Sequence, residues 1–188
     1  MDVPALTARG IPLTVTPDAN AVSVAEHAMM LLLAVARRVK DYDAATRALD
    51  WGPRDSLPTF DLAGRTLLVV GFGRIGARTA RLAAAFGMRV LVHDPYVPGN
   101  TVKGAGFTPA KTLAGGLAEA DAVTLHCPSN EETRRLVDKE FVVAMKRGSV
   151  LVNTARGTLV DEEALAAGLR SGQVAAAGLD VFWEEPLK

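Results

Sequence analysis

The sequence runs to 188 residues, 49% hydrophobic and 22% charged, the balance of a globular protein with room for one substantial core plus a piece of a second unit. Lys plus Arg and Asp plus Glu each number 21, so no net field draws the protein to nucleic acid or to an anionic membrane. The longest strongly apolar run, residues 28–36, falls well short of the about 20 residues that span a bilayer. The N-terminus has neither a basic n-region nor an apolar h-region. Cys127 is the only cysteine, so no internal disulfide can form. Together these features predict a soluble, cytoplasmic protein without nucleic-acid or membrane partners.

In chain order, Ser23-Val24-Ala25-Glu26 reads as a capping box with Ser23 as N-cap. It opens a helix that runs to about Arg38 and is apolar on nearly every side, so it calls for burial between two domains or two subunits. The basic cluster Arg37-Arg38-Val39-Lys40 sits where cations complement the C-terminal end of that helix. Residues 50–63, with Gly52, Pro53 and Pro58, read as a loop.

From Arg65 the pattern alternates. Strands are predicted at Thr66–Val70, Arg89–His93, Asp121–His126, Ser149–Asn153 and Val174–Val181, with helices at 74–86, Asp138–Lys146 and from Asp161-Glu162-Glu163 to near Gly172. Continuous apolar strands separated by helical crossovers predict an α/β protein with a doubly wound parallel sheet of the Rossmann kind.

Gly71-Phe72-Gly73-Arg74-Ile75-Gly76 is a G-x-G-x-x-G sequence placed after a buried strand and at the start of a helix. Gly71 permits the tight turn, Gly73 lets a pyrophosphate approach the backbone, and Gly76 allows close helix–strand packing. The helix N-terminus adds free N–H groups and a positive dipole. Asp94 ends the next strand 18 residues past Gly76, near the spacing of the acid that binds an adenosine ribose. A carboxylate there repels a 2′-phosphate, so NAD is favoured over NADP; the competing reading is a turn Asp before Pro95.

Several segments in family order resemble the D-isomer-specific 2-hydroxyacid dehydrogenases, which include phosphoglycerate dehydrogenase, D-lactate dehydrogenase and glyoxylate/hydroxypyruvate reductase. They are Val24-Ala25-Glu26-His27, the Gly71–Gly76 loop, His126-Cys127-Pro128 with Thr133, and Asn153-Thr154-Ala155-Arg156-Gly157 with Leu159-Val160-Asp161-Glu162. Gly178-Leu179-Asp180-Val181-Phe182 with Glu185-Pro186 completes the set. These motifs are shared across the family and do not choose a substrate.

The resemblance implies that Arg74 and Ile75 meet the pyrophosphate through their backbone and that Asp94 is the ribose acid. It places His126, Cys127 and Pro128, with Thr133, on the adenosine side, and Thr154 and Ala155 against the nicotinamide. Asp180 would accept a hydrogen bond from the carboxamide. Arg156 would anchor the carboxylate of a small 2-keto or 2-hydroxy acid and polarise its ketone, since a guanidinium binds and does not transfer protons. Its structural alternative is a pairing with Asp161 or Glu162. Glu185, 29 residues beyond Arg156, resembles the carboxylate that keeps a catalytic histidine protonated. No metal site is expected.

The same resemblance implies a domain plan: residues 1–19 as the end of a substrate domain, 20–40 as an interdomain or dimer helix, and 41–188 as a coenzyme domain. The family's catalytic histidine follows its carboxylate, whereas His27, His93 and His126 all precede Arg156. A partial chain without turnover of its own is therefore expected. A homodimer through the 23–38 helix is favoured over simple packing between domains. An NADH-sensing interaction protein of the co-repressor kind and an inactive gene fragment stand as alternatives to the enzyme.

Overall fold

The computed structural model describes residues 2–16 and 18–186. A short helix α1 (Val3–Ala8) has no buried residue. The residues after it are extended, with Ile11, Leu13 and Val15 exposed by 47, 44 and 76%. Helix α2 (Ala21–Ala36) follows, then α3 (Val39–Arg47) and the single turn α4 (Pro53–Ser56). Arg38, in the left-handed region at φ 50°, separates α2 from α3, and the Tyr42 hydroxyl donates to Leu57 O (3.0 Å), holding α3 against the segment after α4.

The alternating part runs β1 (Thr66–Val70), α5 (Arg74–Ala85), β2 (Arg89–His93), α6 (Gly99–Gly104), β3 (Thr108–Pro109), α7 (Leu113–Glu119) and β4 (Ala122–Leu125). It continues with α8 (Lys139–Ala144), β5 (Ser149–Asn153), a 3-10 turn at Gly157–Leu159, α9 (Glu162–Ser171) and β6 (Val174–Leu179). The six strands pair in parallel in the order β3-β2-β1-β4-β5-β6. Chain progress therefore reverses between β1 and β4, the switch point where α/β sheets bind ligands beyond their strand ends.

The two-residue side-chain period of the strands builds the layers. Leu67, Val69, Val90, Val92, Val150 and Val152 point to one face and pack with Ala28, Met29 and Leu32 of α2, Ala80 and Ala83 of α5, and Val102 of α6. Leu68, Val70, Leu91, Val123, Leu125 and Leu151 point to the other, against Leu117 of α7, Phe141 and Val142 of α8 and Leu165 of α9. Every residue of β1, β4 and β5 is buried, as expected of strands covered on both faces.

Three sequence expectations need correction. Ser23 is not the N-cap of α2; the helix begins at Ala21 with Asn20 before it and no side-chain cap. Burial of Ala21 and Ala25, at 0 and 1% exposure, fixes the first turn, and packing outweighs the cap. Residues 50–63 contain the turn α4, started by Pro53 at its first helical position. The helix expected at Asp138–Lys146 is shorter, because Asp138 is its N-cap, accepting from Phe141 N at 2.8 Å.

The greasy α2 buries one face within this chain, against α5 and the last two strands, and leaves Val22 and Met30 50 and 46% exposed. Arg37 and Arg38, just past its end, pair with Asp61 (2.9 Å) and Asp41 (2.8 Å). No helix among the described residues is long and apolar enough to cross a membrane.

Candidate functional site

The C-terminal ends of β1, β2, β4, β5 and β6 share one edge of the sheet, and nearly all the candidate residues lie there. Gly71 leaves β1 at φ 95°, and a Cβ on it would fall 2.6 Å from Cys127 N. Only glycine permits both the positive φ and this contact between the ends of β1 and β4. A Cβ on Gly76 would fall 2.0 Å from Gly71 O, so α5 can start this close to the turn only without a side chain there. A Cβ on Gly73, by contrast, would meet nothing within 4 Å. Its open side lies beside the first turn of the 12-residue α5, where the N–H groups of Arg74 and Ile75 have no intrahelical acceptor. That is a cradle for an anionic group. The Arg74 side chain pairs with Asp18 (3.3 Å).

Asp94 is half-buried at the end of β2, and both its oxygens accept backbone bonds: Oδ2 from Phe72 N (2.7 Å) and Oδ1 from Tyr96 N (2.9 Å). Its carboxylate thus braces the glycine loop from the neighbouring strand. Each oxygen keeps a lone pair for a further donor such as a ribose hydroxyl. Tyr96 and Glu132 are hydrogen-bonded to each other, joining the loops after β2 and β4.

His126 extends β4, its N–H donating to Val70 O (2.7 Å) and its Nε2 lying 3.0 Å from the Thr124 hydroxyl. Burial lowers its pKa to about 4, so the imidazole is neutral near pH 7. The Cys127 thiol is pushed up, chiefly by burial. It stays protonated, and the residue's backbone closes against Gly71. Thr133 ties its own loop: its hydroxyl donates to Pro128 O (2.6 Å) and accepts from Asn130 N (2.9 Å). These bonds make Thr133 a brace for the Pro128 turn.

At the end of β5, the fully buried Asn153 does work that sequence reading missed. Its Oδ1 accepts from Ala155 N (3.0 Å), its Nδ2 donates to Arg156 O (2.9 Å), and its carbonyl accepts from Asp180 N (3.0 Å). The side-chain amide thereby shapes the Thr154-Ala155-Arg156 turn, and the backbone carbonyl ties it to the end of β6. The signal was there: a polar residue closing the apolar run Ser149–Asn153. The Thr154 hydroxyl is buried without a hydrogen-bond partner among the described residues, an orphan that marks a place for a ligand group.

Arg156 is exposed and donates from Nη1 to Ala155 O (2.6 Å). Neither acid considered as its structural partner takes it. Asp161 caps α9, accepting from Glu163 N and Ala164 N (both 3.1 Å), and Glu162 accepts from Trp183 N (3.2 Å). Glu185 accepts from Phe182 N (2.8 Å) at the exposed end of the described chain. The two segments are brought together by Gly157, where a Cβ would fall 1.9 Å from Phe182 O. Trp183 is held on the same side, its ring 4.9 Å from the guanidinium carbon of Arg134 and 5.3 Å from that of Arg135. Asp180 Oδ1 lies 3.2 Å from His27 Nε2. His93 is lowered mainly by burial, with Asp94 opposing.

A dinucleotide fits this edge. The fixed Asp94 carboxylate, the open side of Gly73 and the orphaned Thr154 hydroxyl follow one another from β2 through β1 and across the switch point to β5, as two linked nucleotides require.

The comparisons with known proteins agree. Residues 29–188 match the family model described as the D-isomer specific 2-hydroxyacid dehydrogenase, NAD binding domain. The chain is 46% identical over 186 residues to a D-3-phosphoglycerate dehydrogenase of Mycobacterium leprae, covering 99% of this chain and 35% of that protein. It is 43% identical over 193 residues to a glyoxylate reductase of Korarchaeum cryptofilum, covering 100% of this chain and 57% of that one. Among solved structures, the apo D-mandelate dehydrogenase of Rhodotorula graminis superposes with a TM-score of 0.92 at 32% identity, over 100% of this chain and 57% of that one. A D-lactate dehydrogenase from Aquifex aeolicus, complexed with NAD and lactic acid, gives 0.89 at 35% identity over 98% of this chain and 55% of that one. The chain thus spans between about a third and three-fifths of the length of these proteins.

Proposed function

The chain belongs to the D-isomer specific 2-hydroxyacid dehydrogenase family, and from that premise we propose that it forms the coenzyme half of an NAD-dependent enzyme acting on a small 2-keto or 2-hydroxy acid. The observation that carries the proposal is the bracing of the glycine loop by Asp94. One carboxylate fixes the Phe72 N–H at 2.7 Å and sets a negative charge where a 2′-phosphate would stand.

In this reading Gly71, Gly73 and Gly76, with the Arg74 and Ile75 N–H groups, hold the pyrophosphate. Asp94 takes the ribose, and His126, Cys127 and Pro128 wall the adenosine side. Thr154, Ala155 and Asp180 border the nicotinamide. Bound NADH supplies a hydride to the C2 carbonyl carbon. Arg156 exchanges its bond to Ala155 O for the substrate carboxylate and draws electron density from the ketone oxygen, which stabilises the charge that develops there.

The new alkoxide must also receive a proton. Arg156 has none to give at neutral pH. His27 faces Asp180, His93 ends β2 beside Asp94, and His126 is a half-buried neutral imidazole at the wall of β4. We therefore assign the proton donor to a group outside these three histidines, with Glu185 as the carboxylate that holds it charged. The 188 residues alone are then expected to bind coenzyme and to show little or no turnover.

Residues 1–19 read as the margin of a substrate domain. In support, the apolar residues Ile11, Leu13 and Val15 stay 47, 44 and 76% exposed within this chain. Residues 20–40 read as the connecting and dimer helix, whose outer side leaves Val22 50% and Met30 46% exposed. The protonated, half-buried Cys127 thiol suits a reducing cytosol.

The test is a titration of the purified chain with NADH and NADPH, followed by fluorescence or calorimetry. Saturable NADH binding with NADPH much weaker is expected. Equal affinity for the two would remove Asp94 from its role, and binding of neither by a folded chain would refute the coenzyme site.

A further inference from the structure

We propose that His27, on α2, is a positioning residue for the nicotinamide half of the site, acting through Asp180. The inference rests on the coenzyme reading above and adds to it a residue from outside the alternating part of the fold.

The geometry is a two-rung contact between a helix and a strand. On α2, His27 and Leu31 are one turn apart and share a face. On β6 and its end, Gly178 and Asp180 are two residues apart and share a face. The rungs meet in register. A Cβ at Gly178 would lie 2.9 Å from Leu31 Cβ, so α2 approaches the strand as closely as it does because position 178 is glycine. One turn earlier on the helix and two residues later on the strand, His27 Nε2 reaches Asp180 Oδ1 at 3.2 Å.

The Asp180 backbone is already fixed, since its N–H donates to Asn153 O at 3.0 Å. What remains free is the rotation of its side chain, which is 49% exposed. The imidazole removes that freedom by occupying Oδ1, which leaves Oδ2 as the acceptor for a ligand. In a doubly wound sheet the second half, here β4-β5-β6, takes the second nucleotide. An amide –NH2 of the nicotinamide is the donor that such a carboxylate fits. Fixing an acceptor before the ligand arrives lowers the ordering cost of binding.

The experiment titrates the full chain and its variants with NADH and with ADP-ribose, which carries the adenosine and pyrophosphate but no nicotinamide. His27→Leu is expected to weaken NADH by about fivefold or more, with ADP-ribose unchanged. His27→Gln, whose amide can still donate to Asp180, restores most of the loss. Asp180→Ala is expected to give a similar NADH-specific loss. If Asp180→Ala lowers the NADH to ADP-ribose preference and His27→Leu does not, the role of His27 is overturned while the Asp180 reading stands. If Asp180→Ala leaves that preference unchanged, Asp180 itself is not at the nicotinamide, and the proposal falls with it. Equal weakening of both ligands by His27→Leu, without rescue by His27→Gln, shows a merely structural histidine and overturns the proposal as well.

Discussion

Replacing Asn153 with alanine tests whether the turn that carries Arg156 is held by one amide. Asn153 is fully buried and satisfies Ala155 N at 3.0 Å and Arg156 O at 2.9 Å. A donor or acceptor left without its partner costs about 1–3 kcal/mol when it stays buried. Ala155 is half-buried and bears most of that cost, whereas Arg156 is exposed and water can replace the lost bond to its carbonyl. The small cavity adds to the loss, so the total is about 2–3 kcal/mol. For a chain of this size that lowers Tm by about 5–10 °C. In the proposed reading the turn borders the nicotinamide, so NADH affinity should fall more than ADP-ribose affinity. Asn153→Asp keeps the acceptor for Ala155 N but buries a carboxylate oxygen against Arg156 O, and at neutral pH should cost at least as much as the alanine. Differential scanning calorimetry with parallel titrations reads all of this. A Tm within about 1 °C of the parent, with both affinities unchanged, would show that the turn is held by other contacts and refute the assignment.

Asp94→Asn should narrow the preference for NADH over NADPH by about tenfold or more, since it removes the charge that opposes a 2′-phosphate; a preference unchanged in paired titrations would show that another group sets it. His126 makes stability depend on pH with a definite sign. The unfolded chain takes the proton near the ordinary value of 6.5, but the folded one only near about 4, so stability from this residue is intact above pH 6.5 and drains away as pH falls towards 4. At pH 4.5 the loss is about 2–3 kcal/mol. Urea midpoints should show it in the parent and not in His126→Gln, and identical pH profiles for the two would refute it. Gly157→Ala puts a methyl carbon 1.9 Å from Phe182 O and should cost at least about 1–3 kcal/mol while pushing the Trp183 segment off Arg134 and Arg135. Trp183 emission, read in a Trp51→Phe background, should shift, and an unchanged spectrum and Tm would contradict the contact.

The parts of the fold that rest on local patterns were legible in the sequence. Thr66–Val70, Arg89–His93 and Ser149–Asn153 form the expected strands because a strand buried on both faces must be apolar throughout. The glycine loop was legible for a related reason, since Gly71 and Gly76 sit where no side chain fits. Short elements were not. Helices α6 and α7 carry Gly99, Gly104, Gly115 and Gly116, and β3 has two residues, so tertiary contacts fix them against a weak intrinsic preference. Thr133 lies in the loop after β4, and its hydroxyl is spent on Pro128 O, a local bond that the sequence does not reveal. The His27–Asp180 pair was invisible for a different reason. It joins residues far apart in sequence through the way α2 lies across β6, and no local pattern encodes that crossing.

The contacts at the strand ends also imply a division of labour within the site. On the coenzyme side each loop is braced by its neighbour in the sheet: Asp94 holds Phe72, the backbone of Cys127 closes on Gly71, and Asn153 holds both its own turn and Asp180. Those groups stand ready before a ligand arrives. Arg156, assigned to the acid substrate, and Glu185, assigned to the proton donor, are held only locally, Arg156 by the carbonyl of the residue before it and Glu185 by the N–H of Phe182. A guanidinium that leaves one neutral carbonyl for a carboxylate exchanges an ordinary hydrogen bond for a charge-assisted, bidentate one. The rotamer freedom lost is about 0.5–1.5 kcal/mol, less than a second charged bond supplies. In the proposed reading the coenzyme therefore meets a preformed surface, whereas the acid substrate turns a single side chain.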